Sequence, residues 1–205
     1  IARCWPIPSP HRCLAAKPAN FASTTTRPVR CILAFRGYLQ AMMQSSANAA
    51  PRLRKFTAEA PVVTAVSAPL AAEWQALAEV ASEANAFGES WFIDSALRHL
   101  RGGDMVRLAQ VRDDHGQLAG IMPLVISPQY GSLPVAQTRN WIRLQCYCGT
   151  PLIRVGDELD FWLALLDLLD RSDWACGFLS LRLAYGGGPV MRGLEQAARL
   201  TGRQF

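Results

Sequence analysis

No aspartate or glutamate precedes Glu59 in a chain of 205 residues. The twenty-one Lys and Arg divide nine before that point and twelve after it, while all sixteen acidic residues lie at or beyond Glu59. The formal net charge of +5 therefore splits into +9 for residues 1–58 and −4 for residues 59–205. The alkaline isoelectric point belongs to the leader, and whole-chain basicity is no argument for nucleic-acid binding. Histidine is scarce as well, and neither His99 nor His115 sits beside a Cys or His pair at finger-like spacing, so no metal is expected. Among the cysteines, Cys4, Cys13 and Cys31 fall in the leader, and Cys146, Cys148 and Cys176 form an odd set without framework spacing. That usage fits a reducing compartment. No apolar run reaches the roughly 18 to 20 residues of a spanning helix, and no signal-peptide core with a cleavage site appears. The expectation is a cytoplasmic protein without a membrane span. Gly-x-Ser-x-Gly, Walker, His-Glu-x-x-His and dinucleotide fingerprints are also missing, which argues against the common hydrolase, nucleotide-phosphate and zincin chemistries.

Residues 1–58 mix Pro, Cys, Thr and Arg without periodicity and read as a disordered basic leader. Arg-rich, acid-free composition also suits a transit peptide, but Pro6, Pro8, Pro10, Pro18 and Pro28 break any amphipathic helix. Because the sequence opens on Ile1, the leader is read as translation upstream of a natural start at Met42 or Met43.

From Pro61 the pattern is that of one domain of roughly 145 residues, enough to bury a core. A β-branched run at 62–66 reads as a strand. Pro69 opens a helix, with Leu70, Trp74, Leu77 and Ala81 at helical spacing, expected to reach about Asn85. After Gly88 a second helix is predicted, capped by Ser90, with Trp91, Ala96, Leu97 and Leu100 among its apolar positions and Gly102-Gly103 as its stop. Residues 105–111 and 118–126 form a hairpin about Asp113-Asp114-His115-Gly116, and Pro123 implies a bulge, an edge position or the strand's end. Short strands are expected at 141–144 and 152–154, with Cys146 and Cys148 on one strand face as small buried hydrophobes. A helix over 157–169 carries Leu159, Trp162, Leu163, Leu166 and Leu169, with Asp157 near its positive end. A strand at 178–183, a loop at 186–189 and a helix over 190–200 complete the chain. The fold class is α/β, with an α+β mixed sheet rather than a doubly wound one.

Several residues are candidates for chemistry. His115 has the pKa of a general base but occupies a hairpin tip, where turn residues are solvated. Asp167, Asp170 and Asp173 lack calcium-loop spacing and read as a solvated face. If an acceptor sugar binds this half, Arg143 and Tyr147 are the choice, because a ring stacks on a sugar face and a guanidinium donates to its hydroxyls; the alternative is a core tyrosine and a surface arginine. No residue is assigned as catalytic.

Trp74, the junction from Phe87 to Trp91, Asp-x-x-Gly-x-Leu-x-Gly-x-x-Pro-Leu over 113–124, and Gly149-Thr150-Pro151-Leu152 resemble the bacterial cellulose-biosynthesis acetyltransferases of the CelD/BcsL type, members of the GNAT superfamily. The resemblance covers residues 62–205. It implies a protein of two GNAT-like halves, of which residues 59–205 are the N-terminal one, with a polysaccharide or small-molecule acceptor and acetyl-CoA as co-substrate. The acyl-CoA site is expected in the second half, and the sequence is read as truncated at both ends. In this superfamily a strand-to-helix loop holds the CoA pyrophosphate on backbone N–H groups at a helix N-terminus, usually with Gln/Arg-x-x-Gly-x-Gly/Ala. Gly186, Gly187 and Gly188 are the weak candidates here, because the register is displaced and Pro189 removes a donor. The alternatives are a non-catalytic GNAT-like interaction or scaffold domain, and nucleic-acid binding through the leader, which lacks the interleaved aromatics of a single-strand platform.

Overall fold

The computed structural model describes residues 55–204. Of the leader read over 1–58, residues 1–54, with the three cysteines and candidate start methionines, lie outside the described residues, whereas Thr57 and Ala58 are not disordered but pair with Arg112 and Val111 in the sheet. Six strands and four α-helices follow one another as β1 (Thr57–Glu59), α1 (Ala68–Glu79), a short 3-10 turn (Ala86–Gly88), α2 (Ser90–His99), β2 (Arg107–Arg112), β3 (Leu118–Ser127), β4 (Gln137–Asn140), β5 (Leu152–Ile153), α3 (Glu158–Arg171), β6 (Leu179–Ser180) and α4 (Pro189–Leu200). The sheet order is β1-β2-β3-β4-β6, with β5 also paired to β3. Every pair is antiparallel except β4 with β6, which α3 joins by a helical crossover. The mixed α/β expectation holds at that level.

Strand alternation sends two sets of side chains to opposite faces. On one face Leu108, Ile121 and Val125 pack with Trp74 and Leu77 of α1 and Ile93 and Leu97 of α2. On the other, Val111, Met122 and Leu124 pack with Phe161, Trp162 and Leu165 of α3 and Val190 and Leu194 of α4. At Gly120 α3 lies close against the sheet: a Cβ there would sit 2.3 Å from Phe161 Cδ2. Both faces of a largely antiparallel sheet are thus covered by helices.

The hairpin forms as read. Asp113 Oδ1 accepts from the His115 and Gln117 N–H groups, so a side chain closes the turn, and a bulge follows at Val111/Arg112. Pro123 lies inside β3 rather than at its end. Trp141 donates its N–H to the Pro123 carbonyl, and a proline has no N–H to return. The β4 ladder therefore ends at Asn140. Below this break β3 pairs instead with β5, through Gly120 and Ile121, so β4 and β5 fork apart over Met122 and Pro123.

Several expected boundaries are corrected. The first strand is Thr57–Glu59 rather than 62–66; Val62 keeps an isolated bridge to Arg107, and the Val66 N–H bonds the Asp94 carboxylate instead of a ladder partner. Helix α1 stops at Glu79, because Ala81 and Ser82 are drawn onto β5 through Arg154 and Ile153. Glu89, not Ser90, holds the N-cap position of α2, and Trp91 points outward at 62% exposure. No strand forms at 141–144; β4 is the polar Gln-Thr-Arg-Asn segment just before it, fixed by Leu124–Ser127 across the ladder. In α3, Phe161 and Leu165 are fully buried, whereas Leu159 and Leu163 only pack against the core edge. The strand expected over 178–183 shrinks to Leu179–Ser180. No helix among the described residues is long and apolar enough to cross a membrane.

Candidate functional site

The fork between β4 and β5 is filled by the loop over 141–151, and three buried polar residues hold that loop. Asn140 donates from Nδ2 to the Gly149 and Arg182 carbonyls, both at 2.9 Å, and accepts from the Arg182 N–H at 2.8 Å. Asn85 caps the 3-10 turn by accepting from the Phe87 N–H at 3.0 Å and donates to the Thr150 carbonyl at 2.6 Å. Thr150 Oγ1 accepts from the Tyr185 N–H at 3.0 Å. Each side chain satisfies backbone groups that would otherwise be buried unpaired. Glycine is required at 149, where a Cβ would lie 2.1 Å from the Arg182 carbonyl oxygen. The space left in the fork is about 20 Å³, room for a water but not for an acyl chain.

With the loop pinned on both sides, Tyr147 is directed to solvent at 78% exposure. Its ring meets Phe87 edge-on at 5.7 Å; Phe87 meets Phe92 at 5.3 Å, and Phe92 meets Trp91 at 5.8 Å. Four rings in T-shaped contact make a ribbon whose two ends, Tyr147 and Trp91, are exposed. The Trp91 indole donates to Glu89 Oε2 at 2.9 Å, which fixes its ring. Tyr147 is therefore a surface ring rather than a core tyrosine. Arg143 is held differently: it bonds Asp104 Oδ2 at 3.2 Å, an oxygen that also accepts from the Trp141 indole. The expected strand geometry of Cys146 and Cys148 is absent, since both lie in the loop. Burial pushes the Cys146 thiol pKa up, so it behaves as a small apolar group, and Cys148 Sγ sits 3.6 Å from Thr150 Oγ1.

Gly186, Gly187 and Gly188 lead into α4, with Gly188 as its N-cap residue. The carboxylate of Glu83, from 107 positions earlier, is inserted at this N-terminus: its Oε1 accepts from the Val190 N–H at 3.0 Å. A Cβ on Gly188 would lie 1.9 Å from that oxygen. The position where a helix would hold a pyrophosphate is filled by the protein's own anion. At α3, the other helix that follows a strand on this face, Asp157 holds the N-cap position and Glu158 and Asp160 occupy the first turn. Glu158 accepts from Ser82 and from the Gly156 N–H, at 3.1 Å for the latter. Burial opposes its ionisation, but hydrogen bonds from Ser82 and backbone N–H groups, with Arg192 nearby, outweigh it and lower its pKa. Both helix N-termini are thus occupied by carboxylates of the chain itself.

The remaining candidates, His115, Asp167, Asp170 and Asp173, are all exposed. His115 stands at the hairpin tip, its side chain 80% exposed. Asp167 pairs with Arg171 at 2.6 Å, and Asp170 with Arg203. No group of three metal-ligating side chains occurs among the described residues. Arg154 joins Asp113 at 2.7 Å and also Asp157, fastening the hairpin turn to the start of α3.

Two features escaped the sequence reading. One is Glu83 at α4. The other is a polar cleft of about 680 Å³ on the sheet beyond α1 and α2, lined by Gln137 and Arg139 of β4, Ser180 of β6 with Arg182 just after it, and Ser127 at the end of β3 with Tyr130 beyond it. A polar Gln-x-Arg pair on one face of a strand was the available signal. Compared with family models, with curated proteins and with solved structures, the chain finds no match.

Proposed function

We propose that residues 59–205 form the N-terminal, acceptor-side half of a cytoplasmic GNAT-type acetyltransferase acting in exopolysaccharide or cellulose biosynthesis. In this reading the full-length protein transfers acetyl from acetyl-CoA to a hydroxyl or amine acceptor, and the acyl-CoA site belongs to the second half. The observation that carries the reading is a combination. The element order of strand, two helices, hairpin, short strands, helix, strand and helix accompanies the resemblance, while the N-termini of α3 and α4 are filled by Asp157, Glu158, Asp160 and Glu83. Carboxylates at these two helix N-termini support a reading in which this half serves the acceptor and the pyrophosphate is held elsewhere. The Tyr147 to Trp91 ribbon supports that role: exposed, fixed aromatic faces suit the apolar face of a sugar ring.

The same filled N-termini favour a second reading, a non-catalytic GNAT-like interaction domain. Isothermal titration of acetyl-CoA into this chain and into a form extended through the downstream reading frame separates the two. The acetyltransferase reading expects binding to the extended form alone; the interaction reading expects none to either. Saturable binding to the present chain would overturn the assignment of the acyl-CoA site to the second half.

A further inference from the structure

The cleft beside β4 contains polar groups that the fold does not satisfy. Gln137 is 5% exposed and Arg139 is half-buried, and both line the cleft. Gln137 Nε2 donates to the Gln129 carbonyl, but its Oε1 is buried without a hydrogen-bond partner, as is Nη1 of Arg139. The other charges near Arg139 do not neutralise it. Burial first, then the Arg182 and Arg143 guanidiniums, pull the Arg139 pKa below its ordinary value, with Asp104 opposing. Asp104 already accepts from Trp141 and Arg143. A guanidinium kept half-buried among like charges, next to an unpaired acceptor, is poorly satisfied by protein alone. Its planar donor set matches an oxyanion.

We propose that this cleft is an oxyanion-binding site. Arg139 is its principal donor, Arg182 a second cation at the rim, and Gln137 Oε1 an acceptor for an O–H or N–H group beside the anion. The ligand is a small molecule bearing a carboxylate or a phosphate, and about 680 Å³ is the size range of small-molecule sites. Nothing in this assignment depends on acyl transfer.

The test is isothermal titration of the full chain with inorganic phosphate and, separately, with lactate, whose hydroxyl adjoins its carboxylate, at ionic strength held constant with sodium chloride. Saturable binding of one anion is expected, and which one binds distinguishes the two ligand sources. Arg139→Met should weaken that binding at least tenfold, Arg182→Gln several-fold, and the exposed control Arg98→Gln not at all. A purely structural arginine would lower thermal stability when replaced; here free Arg139→Met should melt no lower than wild type and lose the anion-dependent rise in Tm. Absence of saturable binding by both anions, wild-type affinity in Arg139→Met, or a lower Tm of that variant without ligand would each overturn the proposal. If Arg139→Met does not fold, Arg182→Gln decides, and wild-type affinity in it then overturns the site.

Discussion

Replacing Asn140 by alanine should release the loop that presents Tyr147. The side chain is 2% exposed and makes three hydrogen bonds at 2.8 to 2.9 Å to the backbone of Gly149 and Arg182. Alanine fills none of these positions and leaves two carbonyls and one N–H unpaired beside a small cavity. At about 1–1.5 kcal/mol for each buried group that loses its partner, the expected loss is roughly 3–5 kcal/mol. For a domain of this size that corresponds to a fall in Tm of about 6–20 °C. Differential scanning calorimetry and urea unfolding measure it. Asn140→Asp should be at least as damaging near neutral pH, because a carboxylate oxygen would face the two carbonyls that Nδ2 now bonds, and it should recover partly as the pH falls and the acid regains a donor. A loss below about 1 kcal/mol in Asn140→Ala would refute the argument that the loop hangs from this residue.

Glu83→Ala should cost about 1–2 kcal/mol through the lost charge-assisted cap of α4. Gly188→Ala should be destabilising in the wild-type background and nearly silent beside Glu83→Ala, since its Cβ would displace the same carboxylate; additive losses in urea unfolding would contradict the contact. Burial works against the ionised form of Asp113, but Arg154 and the Gln117 and His115 N–H groups outweigh it and set its pKa below the ordinary value. A depressed carboxylate contributes stability above its unfolded pKa, about 3.9, and loses it as the pH falls through the lower folded value. The acid limb of the stability curve below about pH 4 should therefore flatten in Asp113→Asn, and an unchanged limb would exclude this residue as its source.

What was legible in the sequence was local. The hairpin was readable because alternating residues flank an Asp-Asp-His-Gly turn whose first side chain bonds its own backbone. Helix α3 was readable because its apolar positions recur at helical spacing, although periodicity misjudged Phe161 and Leu165, which the close approach to Gly120 buries. What depends on distant partners was not readable. Gln-Thr-Arg-Asn has no apolar alternation, and only the partner residues of β3 make it a strand; Pro123 then decides where it ends. Trp91 fits the apolar stripe of its helix, yet no element covers it on the outer side. The sequence left Tyr147 open between a core ring and a sugar-stacking one, and Glu83 at α4 joins positions 107 apart and left no local trace.

The claim that this half holds the acceptor is tested most directly by titrating cellohexaose into the ¹⁵N-labelled chain and following the indole N–H signals by two-dimensional NMR. The account predicts a saturable shift of the Trp91 signal, abolished by Tyr147→Ala, while the indoles of buried Trp74 and Trp162 stay in place. Trp91 unmoved at saturating oligosaccharide, or moving equally in Tyr147→Ala, would contradict it.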